Sequence, residues 1–258
     1  MYNPFNLPES FEESYEHYHV PPQYKNWLVM SDLHIPYHDI GAISECLNYG
    51  IQKKVDAILI NGDAMDCYQL SKFNPDPRQR SLKEEIAALS DFFDIITKIA
   101  PVFWKLGNHE ERLEHLLIRN APVLLGIEEF QLENLLHTRA KNIEVIKDQR
   151  IIYIGHLPVV HGHELQMKGV SVNPARSLFL KTKKSALCGH LHQTSSHNEP
   201  TIDGKLISTW STGHLGDPHP KYARINKWNH GGARIEVDGD GSFEVINLRL
   251  INNKVHHS

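Results

Sequence analysis

Five short stretches set metal-binding or proton-carrying side chains close together: SDLH at 31–34, NGDAMD at 61–66, GNHE at 107–110, HGH at 161–163 and GHLH at 189–192. They supply Asp32, His34, Asp63, Asp66, Asn108, His109, His161, His190 and His192. Carboxylates, imidazoles and an amide oxygen, with no thiolate among them, suit a pair of borderline first-row cations such as manganese, iron or zinc. On extended chain a D-x-H or H-x-H pair sends both side chains to one face, because successive residues alternate. Each pair is therefore expected to reach one ion or neighbouring ions. Plainer readings exist for single residues: Asp32 and Asp63 as turn formers, and Asn108 as a helix N-cap with Glu110 and Glu111 in the first turn.

The elements that must carry these residues favour the chemical reading. Apolar runs at 27–30, 57–60 and 102–106 read as strands, and each leads directly into one of the polar stretches. Between them lie helical patterns at 40–53, with Ile43, Leu47 and Ile51 on one face, and at 82–99, where Pro101 ends the pattern. Strands alternating with helices predict a parallel sheet covered by helices, whose working residues lie at the carboxyl ends of the strands. Helix capping alone does not explain Asp, His and Asn at three such ends in succession. Further on, the pattern predicts helical material at 110–118 and 128–138, then strands at 143–146, 151–154, 159–160, 186–187, 206–210, 233–237 and 243–250. The last two flank Asp238-Gly239-Asp240-Gly241, a hairpin signal.

Bulk properties narrow the class. A chain of 258 residues without a Pro-, Gly- or Ser-rich interruption is expected to form one domain at 26–258, preceded at 1–25, with Pro4, Pro8, Pro21 and Pro22, by an extended N-terminal arm or a packed irregular lead-in. A net charge of -4 argues against a uniformly basic nucleic-acid-binding surface while leaving room for local basic patches. The first 20 residues lack the basic start and apolar centre of a signal peptide, and no apolar run reaches membrane-spanning length. Three scattered cysteines, Cys46, Cys67 and Cys188, form neither a disulfide framework nor a zinc pattern, so a reducing cytoplasm fits best. The terminal run 255–257 reads as a disordered end.

The five stretches, in this order, resemble the motifs of the calcineurin-like metallophosphoesterases: D-x-H, G-D-x-x-D, G-N-H-[DE], H and G-H-x-H. The resemblance runs from Ser31 to His192, and the segment HLGDPHPKYARINKWNHG resembles phage and bacterial members of the family. It implies a four-layer α/β/β/α sandwich with a dinuclear metal site at strand carboxyl ends. It also implies that Asp32, His34 and His192 hold one divalent cation and Asn108, His161 and His190 the other, with Asp63 bridging them. Manganese is the first expectation for both cations, with iron, zinc or nickel as alternatives. His109 would then assist the leaving group while a metal-bridging hydroxide attacks, and Asp66 would orient the His109 ring. His163 is left as an outer or surface residue and Arg112 as either a phosphate contact or a solvated helix position.

The implied activity is hydrolysis of a phosphate ester, with phosphodiester or nucleotide-type substrates slightly ahead. A nuclease acting on DNA or RNA, a protein phosphatase and a non-catalytic scaffold are the alternatives. Specificity should come from the framing segments 67–83, 110–138, 175–184 and 214–232, several of which mix aromatic with basic residues. No membrane partner is expected, and the oligomeric state is left open.

Overall fold

Strands β2 (Asn26–Met30), β3 (Ala57–Asn61) and β4 (Val102–Lys105) are buried along their whole length except Asn26, as expected for strands covered on both faces. In the computed structural model, which describes residues 3–11, 14–72, 76, 78, 81–167, 172–252 and 254–257, they pair in parallel with one another, and β4 pairs with β5 (Ile143–Ile146). Helices α1 (Ile40–Gln52) and α2 (Leu82–Ile96) form the crossovers. Asp39 caps α1, and Ser81 with Glu84 forms a capping box on α2. The helix predicted to run to 99 stops at Ile96, its last residues closing as turns.

A second sheet faces the first. It has the order β1 (Tyr18–His19), β6 (Ile152–Ile154), β7 (Leu157–Val160), β8 (Ala186–Cys188), β10 (Leu206–Ser211) and β9 (Ser195–Pro200). The first sheet is completed by β11 (Gly231–Val237), β12 (Phe243–Ile251) and β13 (Lys254–His257), all antiparallel. Trp27, Val29, Leu59 and Phe103 from one sheet pack against Ile152, Leu157, Val159 and Leu187 from the other. Helices α1 and α2 cover the outer face of the first sheet. Helix α5 (Pro174–Thr182), capped by Asn173, covers the outer face of the second through Leu178 against Val160 and Cys188. The layers therefore run α/β/β/α.

Three expectations are corrected. The lead-in at 1–25 is not wholly irregular: β1 pairs with β6, and Arg150 donates to the carbonyls of Glu16 and His17. The run 255–257 is not a loose end, because β13 pairs with β12 and His257 meets the Tyr49 hydroxyl. The helix expected over 128–138 breaks into a 3-10 turn at Glu128–Phe130 and the four-residue α4 (Leu132–Leu135), and His137 takes a left-handed conformation. Leucine spacing there follows packing of Leu132 and Leu136 into the core, without a continuous helix.

Glu85, on α2, has no exposed surface and accepts from the Tyr68 amide. Burial, aided by the Asp66 charge, pushes its carboxyl up to about 7. A carboxyl raised on folding contributes stability below its unfolded value, near 4.5, and that contribution is lost as pH rises through 7. Between pH 5 and pH 8 the loss is about 2 kcal/mol after allowance for solvent screening. Glu85→Gln should therefore gain on the wild type in urea midpoint as pH rises over that interval. Parallel curves for the two proteins would refute this.

Candidate metal centre

Just past the ends of β2, β3 and β8 the backbone bends sharply. Asp32, His34, Asp63, His190 and His192 all have φ between 51° and 67°, a left-handed conformation that side chains other than glycine adopt rarely. This corrects the extended D-x-H and H-x-H picture. The pairs converge because left-handed turns fold their side chains inward, and five strained residues in one place mark a site held by its surroundings. The turn residue Gly62 (φ +84°) lies so close to the His161 ring that a side chain would collide with it. A side chain at Gly107 would strike Asp63.

The side chains form two groups. Asp32, His34 and His192 offer donor atoms within 4.8 Å of one another, and so do Asp63, His161 and His190. The groups adjoin, with His161 Nε2 3.3 Å from Asp63 Oδ2 and 3.9 Å from Asp32 Oδ1. Hydrogen bonds fix two tautomers. His161 Nδ1 donates to the Asn61 carbonyl at 2.7 Å and His34 Nδ1 to Asp66 Oδ1 at 3.0 Å, so each presents an Nε2 lone pair inward. His34 Nε2 lies 3.3 Å from His192 Nε2, which is itself 3.2 Å from Asp32 Oδ1. Asn108 Oδ1 is buried without a hydrogen-bond partner among the described residues. Converging lone pairs, two carboxylates and an orphaned amide oxygen fit divalent cations, which would satisfy all of them.

The electrostatics agree. Burial opposes charge on Asp32 and Asp63, yet the facing imidazoles, His192 and His161 for the first and His109 and His161 for the second, hold both carboxyls well below the usual range. Burial likewise works to lower His161, but the two carboxylates overcome it and raise the imidazole to about 10. Burial and the charge of His161 push His190 down to about 4. A paired negative charge this deep recruits positive charge, from protons or from cations.

His109 stands apart from the two groups. Its Nδ1 donates to the Asp66 carbonyl at 2.7 Å, and Arg112 donates into its Nε2 at 2.8 Å, 3.8 Å from Asp63 Oδ2. The Asp66 carboxylate, expected to orient this ring, makes its shorter bond to His34 and lies 3.5 Å from His109 Nδ1. A third triad, His34, Asp63 and His109, also falls within 4.8 Å. Glu110 and Asn108 correct the capping picture: α3 (Glu111–Asn120) begins later and has no side-chain cap. Glu110 is buried, and its carboxylate accepts from the amides of Asp63, Met65 and Gly107, clamping the Asp63 turn to the GNHE turn.

Several contributors carried no signal in the motifs. Lys105, within the apolar run 102–106, is fully buried and bonds Glu164 at 2.9 Å; Glu164 in turn accepts from the amides of His161 and Gly162. Asn61 donates to the Val160 carbonyl, joining the two sheets beside His161. His214 is buried, stacked on His192 at 4.9 Å, with Trp228 edge-on to His192 at 4.4 Å. His163 pairs with Glu111 on α3 at 3.1 Å and lies in neither donor group.

Residues 26–201 match the calcineurin-like phosphoesterase family model, and the chain belongs to that family. Among particular proteins, it is 25% identical over 231 residues to the gene 54 protein of Mycobacterium phage L5, covering 83% of this chain and 90% of that protein. The solved structure of vacuolar protein sorting 29 from Cryptosporidium parvum shares the fold, with a TM-score of 0.50 at 12% identity over 91% of this chain and 96% of that one. YfcE, a phosphoesterase from E. coli, aligns with a TM-score of 0.43 at 15% identity, over 89% and 96%. Among the described residues no helix is long and apolar enough to cross a membrane.

Proposed function

We propose that the chain is a metal-dependent phosphoesterase that binds two divalent cations, manganese first, and hydrolyses phosphodiester or nucleotide-type substrates ahead of phosphoproteins. The observation that carries this is the pair of adjoining donor groups around Asp32 and Asp63, with Asn108 Oδ1 buried and unpartnered beside them. Asp32, His34 and His192 would hold one cation, Asn108, His161 and His190 the other, and Asp63 would serve both. Bound there, the cations supply Lewis-acid stabilisation of phosphoryl charge and lower the pKa of the attacking water.

The chain's own groups do the rest. The Asn61 carbonyl and the Asp66 carboxylate lock His161 and His34 in the tautomers that present Nε2. Glu110 fixes the Asp63 turn against the GNHE turn. His109 Nε2 and Arg112 share one spot: either the imidazole carries the proton there or the guanidinium donates there, and a departing oxygen meets a hydrogen-bond donor in both cases. Three unpaired, buried cysteines accord with a cytoplasmic setting.

With manganese, the protein should hydrolyse bis(p-nitrophenyl) phosphate, and Asp63→Asn should lower turnover more than about 100-fold with loss of bound metal in equilibrium dialysis. Equal turnover and metal content in the two proteins would defeat the proposal.

A further inference from the structure

Two surfaces flank the metal centre and neither is explained by the hydrolysis of a small ester. From Asn108 a groove of about 590 Å³ runs along α3, lined by the basic Lys72, Arg112 and Arg119, by His115, by the apolar Leu70 and Ile118 and by one acid, Glu111, whose carboxylate pairs with His163. The rise from Arg112 to Arg119 is about 10 Å along the helix, more than a single phosphate group spans. Beside the centre, Trp228 abuts His192, and Tyr222 stands edge-on to Trp228 at 6.2 Å. Tyr222 is 67% exposed. Between Pro218 and Asn229 this loop carries Lys221, Arg224 and Lys227 and no acid, although the whole chain has a net charge of -4. The loop is anchored where it meets the site: Leu215 donates its amide to the Asp32 carbonyl and Asn229 to that of His192.

We infer that the substrate is a single-stranded nucleic acid threaded across the metal centre, one base stacked on Tyr222 beside Trp228 and the following phosphates on the basic side chains of the groove along α3. This deepens, and rests on, the phosphoesterase reading. Exposed aromatic faces bind bases only when these are unpaired, and stacking beside basic side chains is how unpaired strands are held without sequence preference. A peptide carrying one phosphate would use neither the open ring faces nor a second anionic subsite.

Anisotropy of labelled oligo-dT of 2 and 12 nucleotides, a 12-base-pair duplex and a phosphoserine peptide of similar length tests this. The full chain is used in EDTA, which silences hydrolysis, at a temperature where its circular dichroism matches that of the manganese-loaded protein. The 12-mer should bind at least tenfold tighter than the dinucleotide, the duplex or the peptide. With three cations on phosphates, its affinity should fall about 20-fold between 50 and 200 mM salt, from a slope of about 0.7 per phosphate on single strands. Tyr222→Ala and Arg119→Ala should each weaken it five- to tenfold, and only Arg119→Ala should reduce the salt slope, by about 0.7. Equal affinity for duplex or phosphopeptide, no dependence on length, or indifference to both substitutions overturns the inference. Turnover of bis(p-nitrophenyl) phosphate reports separately on the phosphoesterase reading, so the two can fail independently.

Discussion

Lys105→Met is expected to destabilise the protein by about 3–5 kcal/mol, the usual cost of stripping one partner from a buried ion pair. Lys105 has no exposed surface, and its ammonium bonds both Glu164, at 2.9 Å, and the Arg150 carbonyl, at 2.6 Å. Despite burial, Lys105 holds the Glu164 carboxyl down to about 2. That contribution is fully present above the unfolded carboxyl value near 4.5 and is lost as pH falls toward 2, so the deficit of the variant should shrink over that interval. Lys105→Met combined with Glu164→Gln should recover part of the loss, because the charge left behind is gone while one of the two oxygens that accept from the His161 and Gly162 amides remains. Urea unfolding of the two variants measures this; a single-variant loss below about 1 kcal/mol would show that the pair is not buried in the way described.

His109→Ala should lower turnover by about 10²–10⁴-fold, the range typical of a positioned proton donor. The loss should be greatest for phenyl esters and smallest for nitrophenyl esters, whose leaving oxygen needs little help. Metal content should stay at the wild-type level, because Nδ1 is held by the Asp66 carbonyl and Nε2 faces Arg112 where the departing oxygen would enter, outside the donor groups of Asp32, His34 and His192 and of Asp63, His161 and His190. Direct elemental analysis beside the kinetics separates this role from ligation. A variant that loses metal would make His109 a ligand, through the triad it forms with His34 and Asp63.

Much of this architecture could be read from the chain. Strand-helix alternation over 26–106 and polar residues at successive strand ends pointed to a parallel sheet with its chemistry at one edge, and the five stretches pointed to the family. What escaped notice depends on distance in sequence. Lys105 finds Glu164 59 positions on, and inside VFWKL it carries no mark of an ion pair. Glu110 looked like an ordinary first-turn acid because its three amide partners become visible only once β3 and β4 lie side by side. The left-handed backbone of Asp32 and His34 was equally hidden, since periodicity describes regular elements and these residues lie just beyond one. His214 opens a segment that the sequence marks as framing the site, yet nothing in that stretch shows that it stacks on His192.

Asp32, Asp63 and Asn108 descend from the seven-stranded sheet, whereas His161, His190 and His192 descend from the six-stranded one. A cation held by both sets would therefore be a rivet through two plates. Its grip depends on how tightly the plates are pressed together, and the press depends on the rivet. At a free concentration one hundred times its dissociation constant, such an ion adds about 2.7 kcal/mol to the folded state. Heating, chelation and any mutation that spreads the sheets then become different ways of pulling on the same fastening.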